Sequence, residues 1–594
     1  MNDQTRGVLA FLGLWIPATL IAMFFALLHR DAAFLDGQYI PMGNDSFYHA
    51  RRILDALVSG EVAQFDPRIH VPDGAWIPWP WGYDYLLVKT TQVAQWLRAD
   101  LDPMAYLAHV PVAWIAVNTA LFLGILSAIG LPLGLRAIGM LGFALSALNQ
   151  QLHAIGMLDH HFAEFTFVLA NVLLGLRWLR RPDNPSAAAA LGVLLGIAPA
   201  FHNGLFMLQI PVLICISILW LRGDSPPLKS VVLFSIALVA STLLIVLPAQ
   251  ALRQGMFEFA LLSWFHVYVT ACSAVWLTFI ALRPFTRINL AVLSVIGLVL
   301  LVPIGAEVVR GGAFFAGGIS VLSEIAEARS PLQLVSHYGL VKLMSFYSYL
   351  LFAVPVLLLW FVWRLVREVE PAKIFFAAAA ALGLALLLVQ FRFHHFGTFA
   401  LLAGTLMALD ILCRRMQWGD GGRVLIGLMV VAVCYQPSLR QRLFIIYPPS
   451  ADAAYANTQI IHADLAQLCL EDPGVVLANH NDGNSILFHS DCSVIANNFI
   501  LRAEDEIKID EIAQLMTLTP SDLREGRRDI KYIFLRAQDF SLVENGEEQL
   551  VLTNALAKAL LTSDDPPEGF TLVRSIQKTA DDASPYARLY KIEG

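Results

Sequence analysis

The chain has 594 residues, of which 57% are hydrophobic and only 15% are charged. Ordinary soluble domains carry about 25% charged residues, so this composition excludes a soluble globular protein and indicates an integral membrane protein. A formal net charge of −7, without a long basic tract, also speaks against a nucleic-acid-binding protein.

Apolar runs that are long enough to cross a bilayer recur from the N-terminus to about residue 437, and we count about 13 of them. The first run is retained as a span rather than a signal peptide, because no small-residue cleavage site follows it. The expected spans lie near 8–28, 107–126, 131–147, 162–178, 188–204, 207–221, 229–247, 258–282, 288–306, 345–363, 374–391, 395–412 and 423–437. The predicted fold class is therefore a polytopic α-helical membrane protein, with a membrane domain over 1–440.

The Lys and Arg residues between the expected spans predict the orientation. With the N-terminus in the cytoplasm, each basic cluster between spans falls on the cytoplasmic side, as the positive-inside rule requires. We therefore predict a multi-pass plasma (inner) membrane protein. Its extracytoplasmic or periplasmic side receives the long loops 30–105 and 307–343, the segment around Asp159 and the residues after about 440.

The region 441–594 is polar and is predicted to be a soluble, extracytoplasmic α/β domain. Short β-branched and aromatic runs predict strands, and 547–562 reads as an amphipathic helix. The expected strands cover 475–477, 492–495 and 532–535. Cys469 and Cys492 lie in this domain. If the domain is in an oxidising compartment, the two cysteines could form a disulfide or remain free thiols, and the sequence does not decide between these alternatives.

Four segments on the predicted extracytoplasmic side carry charged and imidazole side chains. Such groups are costly inside a bilayer, so at its boundary they indicate a functional site. In chain order the segments are 43–51 with Asp45, 156–164 with Asp159, His160, His161 and Glu164, 323–329 with Glu324 and Glu327, and 390–395 with Arg392, His394 and His395.

The second segment has the ligand types of a metal site. Asp159 and His161 alternate around His160, so in an extended segment their side chains would point the same way, as two ligands of one ion would. A carboxylate oxygen with an imidazole nitrogen suits Mn²⁺, Mg²⁺ or Zn²⁺. Arg392 adds a planar guanidinium, which binds phosphate oxygens in pairs.

Taken together, these motifs resemble the catalytic subunit of oligosaccharyltransferases, within the GT-C superfamily of membrane glycosyltransferases. Asp45 with 47–51 looks like the first acidic motif of the family, and 159–164 looks like the archaeal form of its second. The residues 324–327 are similar to its mobile-loop motif, and Arg392 with Phe393 is similar to its late-span arginine. The resemblance is to the archaeal and bacterial type that acts as a single subunit, and it covers most of the chain.

The resemblance implies a set of roles. Asp45, Asp159, His161 and Glu327 would bind a divalent metal, Mn²⁺ or Mg²⁺, and Asp45 and Glu327 would also be the catalytic residues that face the acceptor nucleophile. Arg392 would bind the phosphate of a polyprenyl-linked sugar donor. The loop 307–343, with glycine pairs at 311–312 and 317–318, would close over the substrates.

Several neighbouring residues keep two interpretations. His160, Glu164, His394 and His395 are candidates for holding the ligands in place by hydrogen bonding. Equally, Glu164 could simply lie at a helix start, and the histidines could serve only in packing. Glu324 competes with Glu327 for the place of the mobile-loop glutamate, and we favour Glu327.

The acceptor motif departs from the family pattern. Where the family carries Trp-Trp-Asp, the residues 479–483 read Asn-His-Asn-Asp-Gly, so His480, Asn481 and Asp482 are candidate acceptor contacts or only a turn. The function predicted first is transfer of a sugar or oligosaccharide to a protein. The alternative is the same donor chemistry with a glycolipid or surface-polysaccharide acceptor. An ion-coupled transporter is a remote alternative, because the acidic groups lie in loops and the two halves show no symmetry.

Overall fold

In a computed structural model of the protein, the described residues are 3–28, 30, 33–35, 37–224, 226–310, 328–444, 450–544, 547–563, 565–577 and 585–593. The predicted glutamates Glu324 and Glu327, and the glycine pairs at 311–312 and 317–318, lie outside these residues. Their assignments therefore stay predictions.

The described part of the chain is mainly helical. The helices are α1 Asp3–Leu27, α2 Asn44–Ser59, α3 Trp81–Leu97, α4 Pro103–Ala128, α5 Leu133–Leu145, α6 Ala147–Leu152, α7 His161–Arg180, α8 Pro185–Ile197, α9 Ile210–Leu221, α10 Leu228–Val246, α11 Gln250–Arg253, α12 Trp264–Leu282, α13 Arg287–Arg310, α14 Pro331–Tyr338, α15 Leu340–Tyr347, α16 Val354–Arg367, α17 Pro371–Val389, α18 His394–Arg415, α19 Asp420–Phe444, α20 Ser450–Glu471, α21 Gly483–His489, α22 Ala503–Thr517, α23 Pro520–Gly526 and α24 Ala555–Thr562. Short 3₁₀ helices cover Ala198–Ala200, Asn203–Gln209, Tyr349–Ala353, Phe391–Phe393, His480–Asp482 and Ala537–Phe540.

The strands are short and lie outside the predicted spans. They are β1 Phe34–Leu35, β2 Gln38–Tyr39, β3 Phe65–Asp66, β4 Ala75–Trp76, β5 Val475–Leu477, β6 Ser493–Val494, β7 Ile530–Arg536, β8 Ser541–Glu544, β9 Glu547–Leu550, β10 Phe570–Gln577 and β11 Pro585–Ile592. Five of them form one sheet in the order β10-β11-β7-β5-β6, while the others pair two by two.

The structure confirms a polytopic membrane protein. Eleven helices in the described ranges are long and apolar enough to cross a membrane, and two shorter apolar helices, Leu133–Leu145 and Pro185–Ala200, lie where two further spans are predicted. Each of the 13 predicted apolar runs therefore corresponds to an apolar helix. At 1.5 Å per residue, the 13-residue helix α5 is about 20 Å long, which is shorter than a hydrocarbon core of about 30 Å.

The chain divides into two compact units. The first consists of 1–30, 79–83 and 109–447, and it contains most of the apolar helices. The second consists of 31–78, 84–108 and 448–594, so it joins most of the predicted first external loop to the C-terminal region.

Helices α17 and α18 of the first unit pack closely on either side of the turn that joins them. A Cβ atom on Gly383 would overlap the carbonyl oxygen of Phe396, and one on Gly397 would lie 2.5 Å from the carbonyl oxygen of Gly383. Small residues of this kind let two membrane helices approach backbone to backbone. The turn that carries Arg392 is thereby held between two closely packed helices.

The second unit contains the mixed α/β domain that the sequence predicts. β5 pairs in parallel with β6 and β7, whereas β11 pairs antiparallel with β7 and β10. The prediction of one helix over 547–562 is wrong in its first part, because Glu547–Leu550 pairs with Ser541–Glu544 as a hairpin and the helix begins at Ala555. Cys469 and Cys492 form a disulfide, with their Cα atoms 5.3 Å apart.

Candidate active site

The segment that holds Asp159 lies at the start of α7 in the first unit. The sequence pattern predicts an extended segment, but the backbone here is helical: His160 has φ −64° and ψ −9°, and His161 is the first residue of the helix. The two predicted ligands nevertheless meet, since Asp159 Oδ2 lies 3.3 Å from His161 Nε2. Two ligands bound at about 2.1 Å to one ion, at right angles, are separated by about 3 Å. The pair therefore has the chemistry and the spacing of a divalent-metal site.

Glu164 is surrounded by three imidazoles. Its Oε2 lies 2.6 Å from His161 Nδ1 and 3.0 Å from His395 Nε2, and its Oε1 lies 2.6 Å from His202 Nδ1. The Glu164 side chain is only 1% exposed. A burial of this degree is unfavourable for a carboxylate unless several groups compensate its charge. Glu164 thus contacts three histidines and also lies in the first turn of α7, so both interpretations of this residue stay predictions.

This contact sets the chemical form of His161. An ionised carboxylate can only accept hydrogen bonds, so the Nδ1 atom that faces Glu164 carries the proton. In the neutral imidazole the lone pair is then on Nε2, the atom that faces Asp159. Carboxylate–histidine pairs of this type orient the histidine ligands of many metal sites.

His160 does not point away from this group. Its Nδ1 lies 3.1 Å from Asp159 Oδ1, and its ring stacks on His202 with centroids 4.8 Å apart. Trp79 and Tyr83 pack around the same ring, and the Tyr83 hydroxyl donates a hydrogen bond of 2.7 Å to the carbonyl of Leu158. The aromatic side chains therefore fix both the ring and the backbone that precede α7.

Arg392 lines the same cavity as Asp159 and His161, two of the four predicted metal ligands. It lies in the 3₁₀ turn Phe391–Phe393, whose first backbone N–H donates to the carbonyl of Arg329 at 2.9 Å. His394 follows at the start of α18 and is buried against the Phe391 ring. The cavity is lined by Gln151, Leu152, Met157, Asp159, His161, Phe391, Arg392 and His394. It thus places a guanidinium together with a carboxylate–imidazole pair, an arrangement that can bind a phosphate and a cation.

The second unit holds Asp45, in the first turn of α2. The Asp45 carboxylate accepts a hydrogen bond from the Asn498 side chain. α2 itself is held by two buried carboxylates: Asp84 accepts from Arg52 at 2.7 Å and contacts His49 at 2.7 Å, and Asp66 accepts from Tyr48 and Arg51. Burial raises the pKa of Asp66, but the charge of Arg51 together with the hydrogen bonds from Arg51, Arg68 and Tyr48 lowers it, and the net pKa lies below its usual value.

The candidate acceptor residues form a 3₁₀ turn, His480–Asp482, that follows β5. His480 and Asp482 are both buried. Burial lowers the pKa of His480 to about 4, and it raises the pKa of Asp482 to about 7 even though Arg536 Nε lies 3.1 Å from Asp482 Oδ2. The backbone carbonyl of Asn481 accepts a hydrogen bond from the Asn44 side chain at 2.9 Å.

Of the four predicted metal ligands, the structure brings Asp159 and His161 together. Asp45 belongs to the second unit, and Glu327 lies outside the described residues. Two residues that the sequence analysis did not select have clear contacts, His202 with Glu164 and Asn498 with Asp45. His202 could have been selected from the sequence, because it is a histidine at the boundary of a predicted span, whereas the sequence around Asn498 has no feature that indicates a functional site.

Comparison with solved structures identifies the fold. The archaeal oligosaccharyltransferase AglB from Archaeoglobus fulgidus, in complex with an inhibitory peptide and a dolichol-phosphate, matches with a TM-score of 0.69 at 16% sequence identity, over 89% of this chain and 70% of that chain. The Archaeoglobus fulgidus enzyme with Zn and sulfate matches with a TM-score of 0.68 at 14% identity, over 95% and 78%. The same enzyme tethered to an acceptor peptide containing the NVT sequon matches at 0.69 and 16%, over 89% and 69%.

At the sequence level, no protein-family model and no curated protein matches the chain. The structural similarity nevertheless extends over most of the chain and includes both the apolar helices and the C-terminal region. The protein therefore has the fold of the oligosaccharyltransferases, as its motifs predict.

Proposed function

We propose that the protein is a metal-dependent glycosyltransferase that transfers a sugar or oligosaccharide from a polyprenyl-(pyro)phosphate to a protein. The observation that carries the proposal is the cavity in which Asp159, His161 and Arg392 meet. A carboxylate with an imidazole nitrogen can bind a divalent cation, and a guanidinium can bind a phosphate. A lipid-linked phosphate donor needs both functions.

The chemistry divides among the residues as follows. Asp159 and His161 would hold Mn²⁺ or Mg²⁺, and Asp45 and Glu327 are the further ligands that the sequence resemblance predicts. When bound, such an ion supplies positive charge to the leaving phosphate. Arg392 binds the phosphate oxygens through its paired N–H groups. Asp45 or Glu327 accepts the proton of the acceptor nucleophile while the bond from the sugar carbon to the phosphate breaks and the bond to the acceptor forms.

The solved relatives support the donor and the ion. The matched Archaeoglobus fulgidus structures hold a dolichol-phosphate in one case, Zn and sulfate in another, and an acceptor peptide with the NVT sequon in a third. We carry these ligand classes over as a polyprenyl-phosphate donor, a divalent cation and a protein acceptor. The enzyme would act as a single subunit.

The acceptor has a second candidate, a glycolipid or surface polysaccharide. The specific observation in its favour is the pairing of Asp482 with Arg536, because an aspartate engaged with an internal arginine is less available to read an acceptor peptide. The turn that would read the peptide also has no tryptophan, since it consists of His480, Asn481 and Asp482. In both cases the donor chemistry is the same.

We further propose that the site and the C-terminal domain are extracytoplasmic and the N-terminus cytoplasmic. The distribution of Lys and Arg between the spans supports this orientation. The disulfide between Cys469 and Cys492 supports it independently, since disulfides persist in oxidising compartments such as the periplasm.

The experiment that tests the function uses the purified full-length protein with a synthetic polyprenyl-linked sugar, in detergent with added Mn²⁺. We expect transfer that is lost in excess chelator and in the Asp45→Ala and Asp159→Ala variants. The exposed Asp183 provides a matched control, and Asp183→Ala should behave as the wild type. Full activity in both site variants, or in chelator, would refute the metal site.

The acceptor class is decided by mass spectrometry of cells with and without the protein. Sugar lost from glycoproteins supports the protein acceptor. Sugar lost only from the lipid or polysaccharide fraction would replace it with the second candidate.

A further inference from the structure

A chain of three asparagine side chains ends at Asp45 in the second unit. Asn497 Nδ2 donates to Asn484 Oδ1 at 2.8 Å, and Asn484 Nδ2 donates to Asn498 Oδ1 at 2.5 Å. Asn498 Nδ2 in turn donates to Asp45 Oδ1. The chain begins at a backbone group, because the Phe499 N–H donates to Asn497 Oδ1 at 3.2 Å.

The direction of this chain follows from the carboxylate. Since an ionised Asp45 can only accept hydrogen bonds, Asn498 must present its NH₂ group to it. The Asn498 oxygen then requires a donor, which is the NH₂ group of Asn484, and the Asn484 oxygen requires one in turn, which is the NH₂ group of Asn497. Every amide orientation is therefore set by its neighbour, and the last one is set by Asp45.

The environment makes this arrangement rigid. Asn484 and Asn497 are fully buried, where an unsatisfied amide would be costly. A Cβ atom on Gly483 would lie 2.6 Å from the carbonyl oxygen of Ala496, so the start of α21 approaches the 496–498 segment at backbone distance. A larger residue than glycine would separate Asn484 from Asn497 and Asn498.

The backbone beside Asp45 is held by the same group. Asn484 Nδ2 also donates to the Asn44 carbonyl at 3.3 Å, and the Asn44 side chain donates to the carbonyl of Asn481 at 2.9 Å. Both the main chain before Asp45 and one oxygen of its carboxylate are thus fixed by residues from the C-terminal region. Asn484, Asn497 and Asn498 lie outside the segments that were compared with the family motifs.

We propose that Asn498 is a positioning residue that orients the Asp45 carboxylate for metal binding. The NH₂ group of Asn498 donates a hydrogen bond to Oδ1 of Asp45, and this contact fixes the direction in which Oδ2 of Asp45 points. The proposal rests on the proposed function, in which Asp45 is a metal ligand. It adds that the C-terminal region, through Asn498, determines the affinity of the enzyme for its cation.

The test measures Mn²⁺ affinity by titration calorimetry on the full-length protein in detergent. Asn498→Ala removes the donor, and Asn498→Asp keeps the size of the side chain while placing a second carboxylate against Asp45. Asn554, which lies before α24 and makes no side-chain cap, offers a matched control in Asn554→Asp. We expect Mn²⁺ binding about 10- to 100-fold weaker in Asn498→Ala, as for other groups that hold metal ligands. Transfer activity should recover at saturating Mn²⁺, and Asn554→Asp should bind as the wild type does.

The outcomes separate this inference from the function. Loss of affinity in Asp45→Ala with wild-type affinity in both Asn498 variants would refute the positioning role and leave the function standing. A wild-type protein that neither binds Mn²⁺ nor loses activity in chelator would refute both. A role confined to folding would lower the melting temperature of Asn498→Ala without changing the affinity of the folded protein, and this result would also refute the proposal.

Discussion

The hydrogen bond between Glu164 and His161 gives the sharpest prediction for the donor side of the site. Glu164 Oε2 lies 2.6 Å from His161 Nδ1, and His161 Nε2 lies 3.3 Å from Asp159 Oδ2. In Glu164→Gln the new NH₂ group can donate to Nδ1, which favours the tautomer with the proton on Nε2. That tautomer cannot bind a cation through Nε2, so metal binding must first reverse it.

The expected loss of metal affinity can be estimated from the effect of comparable carboxylates in other metal sites. Removing the group that orients a histidine ligand weakens metal affinity about 10- to 100-fold, which corresponds to about 1.4 to 2.7 kcal/mol. We expect this range for Glu164→Gln, because the substitution preserves the shape of the side chain while it changes what the side chain offers to His161. Glu164→Asp keeps the charge but is shorter, and it should fall between Glu164→Gln and the wild type.

The assay is Mn²⁺ titration of the purified protein, together with transfer activity measured against Mn²⁺ concentration. Glu368 lies at the end of α16, where it pairs with Arg364, so Glu368→Gln is the matched control and should leave the affinity unchanged. Wild-type affinity in Glu164→Gln, in a protein that loses affinity in Asp159→Ala, would refute the tautomer argument. It would return Glu164 to the role of a residue that only packs the three histidines.

Two further predictions concern the stability of the second unit. Burial raises the pKa of Asp505 to about 7, above its unfolded value near 4, so the stability that the protonated form contributes is complete below about pH 4 and is lost as the pH rises through 7. At about 1.4 kcal/mol per pKa unit, this contribution is about 4 kcal/mol at most. In thermal melts, Asp505→Asn should therefore raise the melting temperature at pH 8 and match the wild type at pH 4, whereas the control variant Asp510→Asn, at an exposed position, should change neither value. A change in melting temperature that is the same at both pH values would contradict the raised pKa. The disulfide joins Cys469 to Cys492, 23 residues apart, so its loss should lower the free energy of unfolding by about 3 kcal/mol. The melting temperature should fall both in Cys492→Ala and in the reduced protein, and an unchanged melting temperature would contradict this prediction.

Hydropathy was sufficient to predict most of the apolar helices. Spanning helices are recognised from local composition, because every backbone group in a bilayer must be satisfied within the helix itself. The least regular spans were also the least predictable: 188–204 contains a helix that gives way to a 3₁₀ turn at Ala198–Ala200, and Asn203–Gln209 continues as another. These irregular turns place His202 beside Glu164, a contact that the apolar pattern does not encode.

The expectations that were wrong concern the local backbone conformation of two segments. The alternation of Asp159 and His161 predicts an extended pair, but α7 begins at His161, and the side chain of Asp159, two residues before it, still contacts the His161 ring. The amphipathic pattern at 547–562 predicts one helix, but its first residues pair with Ser541–Glu544 as a hairpin. In both segments the residue types were informative and the backbone conformation was not.

The two ends of the proposed reaction differ in how far apart their residues lie along the chain, and this difference explains which end the sequence motifs indicate. On the proposed donor side, Asp159, His161 and Glu164 lie within six residues, so a single segment carries two predicted ligands and a carboxylate that contacts one of them. Asp45, by contrast, accepts a hydrogen bond from Asn498, more than four hundred residues away in the chain. Local motifs are therefore sufficient to propose the donor chemistry, whereas the contact on which the proposed role of Asn498 rests becomes visible only in the folded chain. If metal affinity depends on both Glu164 and Asn498, which contact different predicted ligands, the double variant Glu164→Gln with Asn498→Ala should lose affinity by the product of the two single effects.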